Sequence, residues 1–407
     1  MMYHHSFVIP AIFAILNFAH ACQQHADSAV SLHIDLGALT THNNIEKEKC
    51  NSKFRPERKI AIRNVKVFDG YRILPESTVI IEGDKIGIDP AGAEEYDAQG
   101  GVLIPGLIDS HTHPSNISQL QALSRYGITT AFILTCLFPS LCLSLQGHSG
   151  LVDIKLATTA AYAPDSLHAQ LLRSVDVNGT GIVRNSTEAK TWIEKQAFWG
   201  PDFVKIVAES PGLDQATINA LVREARKKGK FAVVHASDLG SYEQAFFAKA
   251  DQIHHAPLNR PINNSFAQLI RAQQQVVTPT LTMMKALSAS DSKRNYTAAQ
   301  QSVKTMHGQG IPILAGTDAN VNIPGGFVDF GSSIHLEMEL LVQAGLSPLD
   351  ALRATTVIPA KHWCLDDRGV IKPGMRADLV LIEGNPLVNI SATRNIKKVW
   401  LSGIEHA

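Results

Sequence analysis

An alternation of short apolar segments with helical patterns constrains this 407-residue chain more than any other feature. Between residues 105 and 363 the predicted strands are GLIDSHTHP, TTAFILTC, DIKLATTAAYAP, DFVKIVA, FAVVHASD, DQIHHAP, QVVTPTL and IPILAGTDA. Alternating β and α units predict a parallel sheet with right-handed crossovers. Eight units in about 250 residues match the size of a (β/α)8 TIM barrel, an α/β fold. A doubly wound open sheet is the competing architecture, but no glycine-rich phosphate loop follows the first strand to support it.

The segments on either side of this region have a different pattern. KIAIRNVKVFDG and STVIIEGDKIGID alternate apolar and polar residues, as do GMRADLVLIEGNPL and IKKVWLSGIEHA near the carboxyl end. This alternation is typical of antiparallel strands with one solvated face. We therefore expect residues 58–104 and 364–407 to form one small flanking β-sandwich lobe, and residues 105–363 to form the barrel.

The amino-terminal residues predict secretion. An apolar run from Phe7 to Phe18 precedes Ala19-His20-Ala21, which is typical of a signal peptide covering residues 1–21. The run is shorter than the roughly 18–20 residues of a membrane span, so we expect no stable membrane association. Residues 22–57 are polar and predict an arm. N-x-[S/T] sequons, which are glycosylation acceptors in secreted proteins, occur at Asn116, Asn178, Asn185, Asn263, Asn295 and Asn389.

Charge and cysteine content narrow the function. Lys plus Arg and Asp plus Glu balance at 37 each, and without a basic stripe the chain is not expected to bind nucleic acid. A small neutral or mixed-charge substrate fits better. The five cysteines show no C-x-x-C spacing, so no zinc knuckle is indicated. Cys136 and Cys142 lie in an apolar stretch and are predicted to be buried thiols, whereas a Cys22–Cys50 bridge is left open.

Titratable residues gather at the predicted strand ends. They are His111 and His113, Lys205, His235, the pair His254 and His255, and Asp318. Two histidines separated by one residue on a strand project the same way and can share a metal ion. In a barrel the carboxyl ends of the strands carry the active site. Each histidine alone has a structural interpretation, and Lys205 could form an ion pair, but together they favour a catalytic divalent metal centre.

The ordered motifs PGLIDSHTHP, FVKI, VVHA, DQIHHA and LAGTDA resemble the amidohydrolase superfamily, in its prolidase-like and imidazolonepropionase-like branch with a bridging lysine. The resemblance implies two divalent ions, usually zinc. His111 and His113 would bind the buried ion, and His235 and His255 the exposed ion. Lys205, carbamylated by CO2, would bridge both ions. Strand alternation also favours His255 over His254.

The resemblance also implies a mechanism, in which hydroxide generated at the two ions attacks the substrate carbonyl. Asp318 would contact the buried ion, accept the proton of the hydroxide and deliver it to the leaving amine. The segment YAPDSLHAQ resembles a substrate loop of the superfamily and places His168 near the oxyanion and Tyr162 in the pocket. His148 is a second candidate, for which a surface position is favoured. Met283 and Met284 are predicted in the core or in a pocket wall.

The leading hypothesis is therefore a secreted binuclear metal-dependent amidohydrolase that cleaves a carbon–nitrogen bond of a small amide substrate. A cyclic amide or lactone hydrolase acting on a secondary metabolite is the alternative within the enzyme class. A non-catalytic barrel used for binding is the alternative outside it. A homo-oligomer is compatible with the sequence.

Overall fold

The computed structural model describes residues 58–321 and 327–406. The predicted signal peptide, the predicted polar arm, and Cys22 and Cys50 lie outside these residues. Among the described helices, none combines the length and the apolar character that a membrane crossing requires.

Strands from both ends of the described chain share one mostly antiparallel sheet. Its strands are β1 (Lys59–Phe68), β2 (Ile73–Glu82), β3 (Lys85–Gly87), β4 (Glu94–Asp97), β5 (Val102–Pro105), β13 (Leu379–Ile382), β14 (Ile396–Leu401) and β15 (Ile404–Glu405). The order is β15-β14-β13-β5-β1-β2-β3, with β4 paired to β1. Strand β5 joins the two segments, because Leu103 pairs with Leu381 of β13. Ile62, Leu103 and Trp400 contribute to a buried core that belongs to this sheet.

The region between these segments contains two parallel sheets. One consists of β6 (Leu107–Thr112), β7 (Ile128–Ile133) and β8 (Asp153–Leu156), and the other of β9 (Phe203–Val207), β10 (Phe231–His235), β11 (Gln252–His254) and β12 (Val276–Thr278). Isolated parallel bridges join Ala161 to Ile206, Val277 to Ile313, and Thr112 to Ala319. The predicted eighth strand, residues 311–319, contributes two of these bridges and forms no ladder.

Helices separate most of these strands. They are α1 (Ile117–Arg125), α2 (Pro139–Leu143), α3 (Leu167–Leu172), α4 (Ala189–Ala197), α5 (Gln215–Lys227), α6 (Leu239–Phe247), α7 (Asn264–Ala272), α8 (Leu281–Ser290), α9 (Tyr296–Gly308), α10 (Ser333–Gln343), α11 (Pro348–Arg353) and α12 (Val357–His362), with a 3₁₀ helix at Ile390–Arg394. Helix α5 shows why the sequence folds this way. Asp214 caps it by accepting a hydrogen bond from the Thr217 N–H (2.7 Å), and buried Ile218, Leu221 and Ala225 form one apolar stripe.

A separate aromatic cluster joins the two parallel sheets. Phe132 stacks on Trp363 with 4.0 Å between ring centroids, and Phe203 lies 5.0 Å from Trp363. Ile108, Val233, Val276 and Leu314 belong to the same cluster, so both parallel sheets and the 311–319 segment contribute to it.

Two cysteines differ from the prediction. Cys136 and Cys142, expected to be free thiols, form a disulfide with a Cα–Cα separation of 6.3 Å. The short helix α2 follows Phe138 directly and returns the chain so that Cys142 faces Cys136. The apolar stretch indicated burial correctly, but spacing alone does not show that such a return brings two sulfur atoms together.

Candidate metal centre and active site

Asp318 lies at the centre of three of the predicted histidines. Its Oδ1 is 2.9 Å from His113 Nε2 and 3.4 Å from His111 Nε2, and its Oδ2 is 3.7 Å from His255 Nδ1. His111 and His113 come from the carboxyl end of β6, and their rings are 5.3 Å apart between centroids. The structure therefore brings together residues that are more than 200 positions apart in the sequence.

A buried turn presents Asp318 to these histidines. Asp318 adopts a left-handed backbone conformation (φ 56°), which is unfavourable for a residue other than glycine. Its N–H donates to the His111 carbonyl (2.7 Å). The preceding Thr317 donates its N–H (3.0 Å) and its hydroxyl (2.7 Å) to Asp109. The strain is thus held by hydrogen bonds between the turn and the strand that carries the histidines.

His235 and Lys205 lie on the neighbouring parallel strands. His235 ends β10, and its ring centroid is 4.2 Å from that of His255. Lys205 lies within β9, is 4% exposed, and has no hydrogen-bond partner for its Nζ. Burial lowers the pKa of Lys205 to about 7, opposed by the charge of Asp318. A buried, unpartnered ammonium group is unfavourable, which is why burial favours the neutral amine of Lys205.

The strand-alternation argument for His255 is wrong, because β11 ends at His254 and His255 has a left-handed φ of 79°. His254 does not point away from the site. Its Nδ1 lies 2.9 Å from His111 Nδ1, and its Nε2 lies 3.2 Å from Gln252 Oε1. His255 nevertheless reaches Asp318. His254 contacts His111 through the Nδ1 atoms of both rings and so orients the His111 ring. Both histidines of the pair therefore contribute to the site.

Burial controls the protonation of the cluster. It lowers the pKa of His111, His235, His254 and His255 well below the ordinary histidine value, and the charge of Lys205 lowers these pKa values further. The four imidazoles are therefore neutral and can offer lone pairs. Asp318 Oδ1 is buried without a hydrogen-bond partner. Neutral imidazoles around a carboxylate are the donor set that zinc, manganese and cobalt accept, so the residues present fit a divalent metal.

A second group of potential ligands adjoins the first. His168, Glu209 and His235 each place one ligand atom within 4.8 Å of the others. His168 Nδ1 is 3.0 Å from Glu209 Oε2, and its ring centroid is 4.7 Å from that of His235. Burial raises the pKa of Glu209, but hydrogen bonds from His168 and Ser166 and the charge of His168 outweigh burial and hold this pKa below its ordinary value. His168 thus lies beside the cluster.

The remaining candidates make contacts with other residues. The Tyr162 hydroxyl donates to Asp176 within a buried network, and burial raises the pKa of Tyr162. His148 is exposed, and its Nε2 lies 2.8 Å from the Ser144 carbonyl. Met283 and Met284 are buried in the main core.

Sequence reasoning overlooked Glu209 and Asp109. Glu209 lies two residues beyond the end of β9. The rule that titratable residues at the carboxyl ends of strands form the site, which identified the other candidates, also applies to this position. Asp109 is fully buried inside the first motif, where it accepts hydrogen bonds from Thr317 and from the His111 N–H (3.1 Å). A carboxylate within an apolar strand was the available signal.

Comparisons with known proteins place this geometry in a family. Residues 185–404, more than half of the chain, match the amidohydrolase family. An adenine deaminase from Bacillus subtilis (strain 168) is 24% identical over 361 residues, which cover 84% of this chain and 57% of that protein. An imidazolonepropionase from Cereibacter sphaeroides is 24% identical over 393 residues, covering 81% of this chain and 94% of that protein.

The fold has a counterpart among solved structures. A Xaa-Pro dipeptidase crystallised with methionine in its active site superposes with a TM-score of 0.74 and 20% sequence identity, covering 85% of this chain and 99% of that one. The chain belongs to the amidohydrolase family, which confirms the predicted family and its α/β fold. It spans little more than half the length of the adenine deaminase that it matches.

Proposed function

We propose that the chain hydrolyses a carbon–nitrogen bond of a small amide or peptide-like substrate. The observation that carries this proposal is the convergence of His111, His113 and His255 on Asp318, beside buried Lys205. Such a site suits the activation of water for attack on a carbonyl group. The names of the relatives, a deaminase among them, support carbon–nitrogen chemistry.

Two divalent ions, with zinc as the first choice, would be held by His111, His113, His235, His255 and Asp318, with Lys205 as a bridging carbamate. When bound, the ions supply an acidified water and polarise the substrate carbonyl. Lys205 would lose one proton to give the neutral amine, which would form an N–C bond to CO2 and release a second proton. The resulting carbamate anion among the imidazoles would replace the buried ammonium group and remove the cost of burying it.

Within this proposal Asp318 moves the proton. Its unpartnered Oδ1 can accept a proton from the attacking water and then deliver it to the leaving nitrogen. The left-handed turn fixes the carboxylate during both transfers, so little reorganisation is needed.

The proposed architecture is a (β/α)8 barrel with a β-sandwich lobe. In this architecture the two parallel sheets are parts of the same barrel. Two observations support one closed barrel. The bridges Ala161–Ile206 and Thr112–Ala319 join the sheet edges, and both sheets contribute to the cluster around Trp363.

We also propose that the protein is secreted and glycosylated. The Cys136–Cys142 disulfide, which is typical of oxidising compartments, and the exposure of all six sequon asparagines support this localisation.

An Asp318→Asn variant tests the function. We expect it to keep its metal ions, measured by plasma mass spectrometry, and to lose at least 100-fold in kcat for amide hydrolysis, because an amide cannot move the proton. Exposed Asp329 offers the matched control, and Asp329→Asn should leave both quantities unchanged. Turnover of the Asp318→Asn variant near that of the wild type would refute the role of Asp318.

A second candidate is hydrolysis of a cyclic amide. The imidazolonepropionase similarity, which covers nearly the whole of that protein, favours it. Cyclic imides and lactones belong in the same substrate panel, where their hydrolysis is detected by acid release.

A further inference from the structure

We propose that Glu209 is a positioning residue that holds a ring proton of His168 on Nδ1 and so directs Nε2 of that ring toward the substrate. This inference deepens the proposed function and rests on it.

The hydrogen bonds of Glu209 determine which nitrogen of His168 carries the proton. Glu209 Oε1 accepts the backbone N–H of His168 (3.0 Å), and Oε2 lies 3.0 Å from Nδ1 of the same residue. An ionised carboxylate can only accept, so Nδ1 must donate and therefore carries the proton. In the neutral ring Nε2 then has a free lone pair.

Burial separates the roles of the two partners. The Glu209 side chain is 9% exposed, whereas that of His168 is 24% exposed. The carboxylate therefore lies behind the imidazole, and the imidazole is the group that a substrate can reach. His168 also lies edge-on to His235, which places it at the rim of the metal-ligand cluster.

A purely structural role for the pair is the competing interpretation. Helix α3 already has a cap, because Ser166 accepts the Ala169 N–H (3.1 Å). Glu209 supplies the acceptor for a second N–H of this helix start, that of His168, but its contact with the His168 ring does nothing for the helix. Glu209 contacts both the backbone N–H and the ring of His168. The ring contact fixes the orientation of the imidazole, which helix stability does not require.

The chemical consequence concerns the substrate. With Nδ1 held by Glu209, Nε2 is the ring nitrogen of His168 that can form a hydrogen bond with the substrate. The ring orientation that Glu209 fixes therefore decides where that contact lies.

Glu209→Gln tests the inference, because glutamine keeps one acceptor oxygen and replaces the other by an NH2 donor. Either the His168 backbone N–H loses its acceptor, or Nδ1 must accept and the ring proton moves to Nε2. Nitrogen NMR of ¹⁵N-histidine-labelled, zinc-loaded protein, with the signal assigned through His168→Gln, distinguishes the two tautomers. We expect Nδ1–H in the wild type and loss of that signal in Glu209→Gln.

Kinetics supply the second measurement. We expect kcat/KM to fall about 10- to 100-fold in Glu209→Gln with unchanged metal content, as for other residues that orient an active-site histidine. Glu209→Asp, which keeps the carboxylate, should recover part of this loss. Exposed Glu243 provides the matched control, and Glu243→Gln should behave as the wild type.

Three outcomes would overturn the inference: a wild-type ring without a proton on Nδ1, a Glu209→Gln variant that keeps both the wild-type tautomer and the wild-type kcat/KM, or loss of a metal ion from that variant, which would make Glu209 a ligand instead. The measurement of the wild-type ring requires no turnover. It therefore remains decisive if no amide is hydrolysed, and the two proposals fail separately.

Discussion

Replacing Thr317 by Val removes one hydroxyl from the turn that presents Asp318 and leaves the side-chain volume almost unchanged. Thr317 is fully buried. Its hydroxyl donates to Asp109 Oδ2 (2.7 Å) and accepts the Ala319 N–H (3.0 Å). Both partners lose a hydrogen bond in the variant, because valine fills the place of threonine and carries no polar atom.

The expected cost follows from these two bonds. A hydrogen bond to an ionised acceptor contributes about 1.5–3 kcal/mol, and a buried N–H without an acceptor costs about 1–3 kcal/mol. Because both effects come from one hydroxyl, we expect the free energy of unfolding to fall by about 3 kcal/mol. Burial raises the pKa of Asp109 to about 7, so the full effect requires pH 8, where this carboxyl group is mostly ionised.

Urea unfolding of the chelator-treated protein at pH 8 measures this difference, with Thr317→Ser as the control that keeps the hydroxyl. We also expect kcat of the metal-loaded Thr317→Val variant to fall at least 10-fold, since Asp318 loses its fixed position. A stability loss below about 0.5 kcal/mol together with an unchanged kcat would show that the turn does not depend on this hydroxyl.

Three other predictions follow from the same structure. Lys205→Met should bind less zinc and should lose any activation by bicarbonate, measured by metal analysis after loading with and without bicarbonate. Burial raises the pKa of Glu337 from 4.5 to about 7, so its contribution to stability is present below pH 4.5 and is lost as the pH rises through about 7. The difference in unfolding free energy between the wild type and Glu337→Gln should therefore shift by up to about 3 kcal/mol against the wild type from pH 5 to pH 8. Cys136→Ser combined with Cys142→Ser should cost about 2 kcal/mol in urea unfolding and leave kcat unchanged, since the disulfide closes a short loop.

The sequence predicted the parts of the fold that depend on periodicity. The β/α alternation indicated the order of β6 to β12. It could not predict that residues 311–319 meet their neighbours through single bridges instead of a ladder, because hydrogen-bond register depends on how the two sheet edges approach. The Cys136–Cys142 pairing likewise depends on the return of the chain through α2.

The same distinction holds for the site. His111, His113 and Asp318 follow from the rule that strand ends converge, and the structure brings them together. The arrangement of His254 and His255 depends on a left-handed residue at a strand end, which alternation cannot foresee. Glu209 becomes meaningful only through its contact with His168, 41 positions earlier in the chain. Long-range partners of this kind are visible only in three dimensions.

Amine release from a panel of N-acyl amino acids and dipeptides by the zinc-loaded protein tests the central claim most directly. The account predicts turnover that chelation abolishes and zinc with bicarbonate restores. Turnover that survives chelation, or a protein that binds no metal and hydrolyses neither the linear amides nor the cyclic imides and lactones, would contradict it.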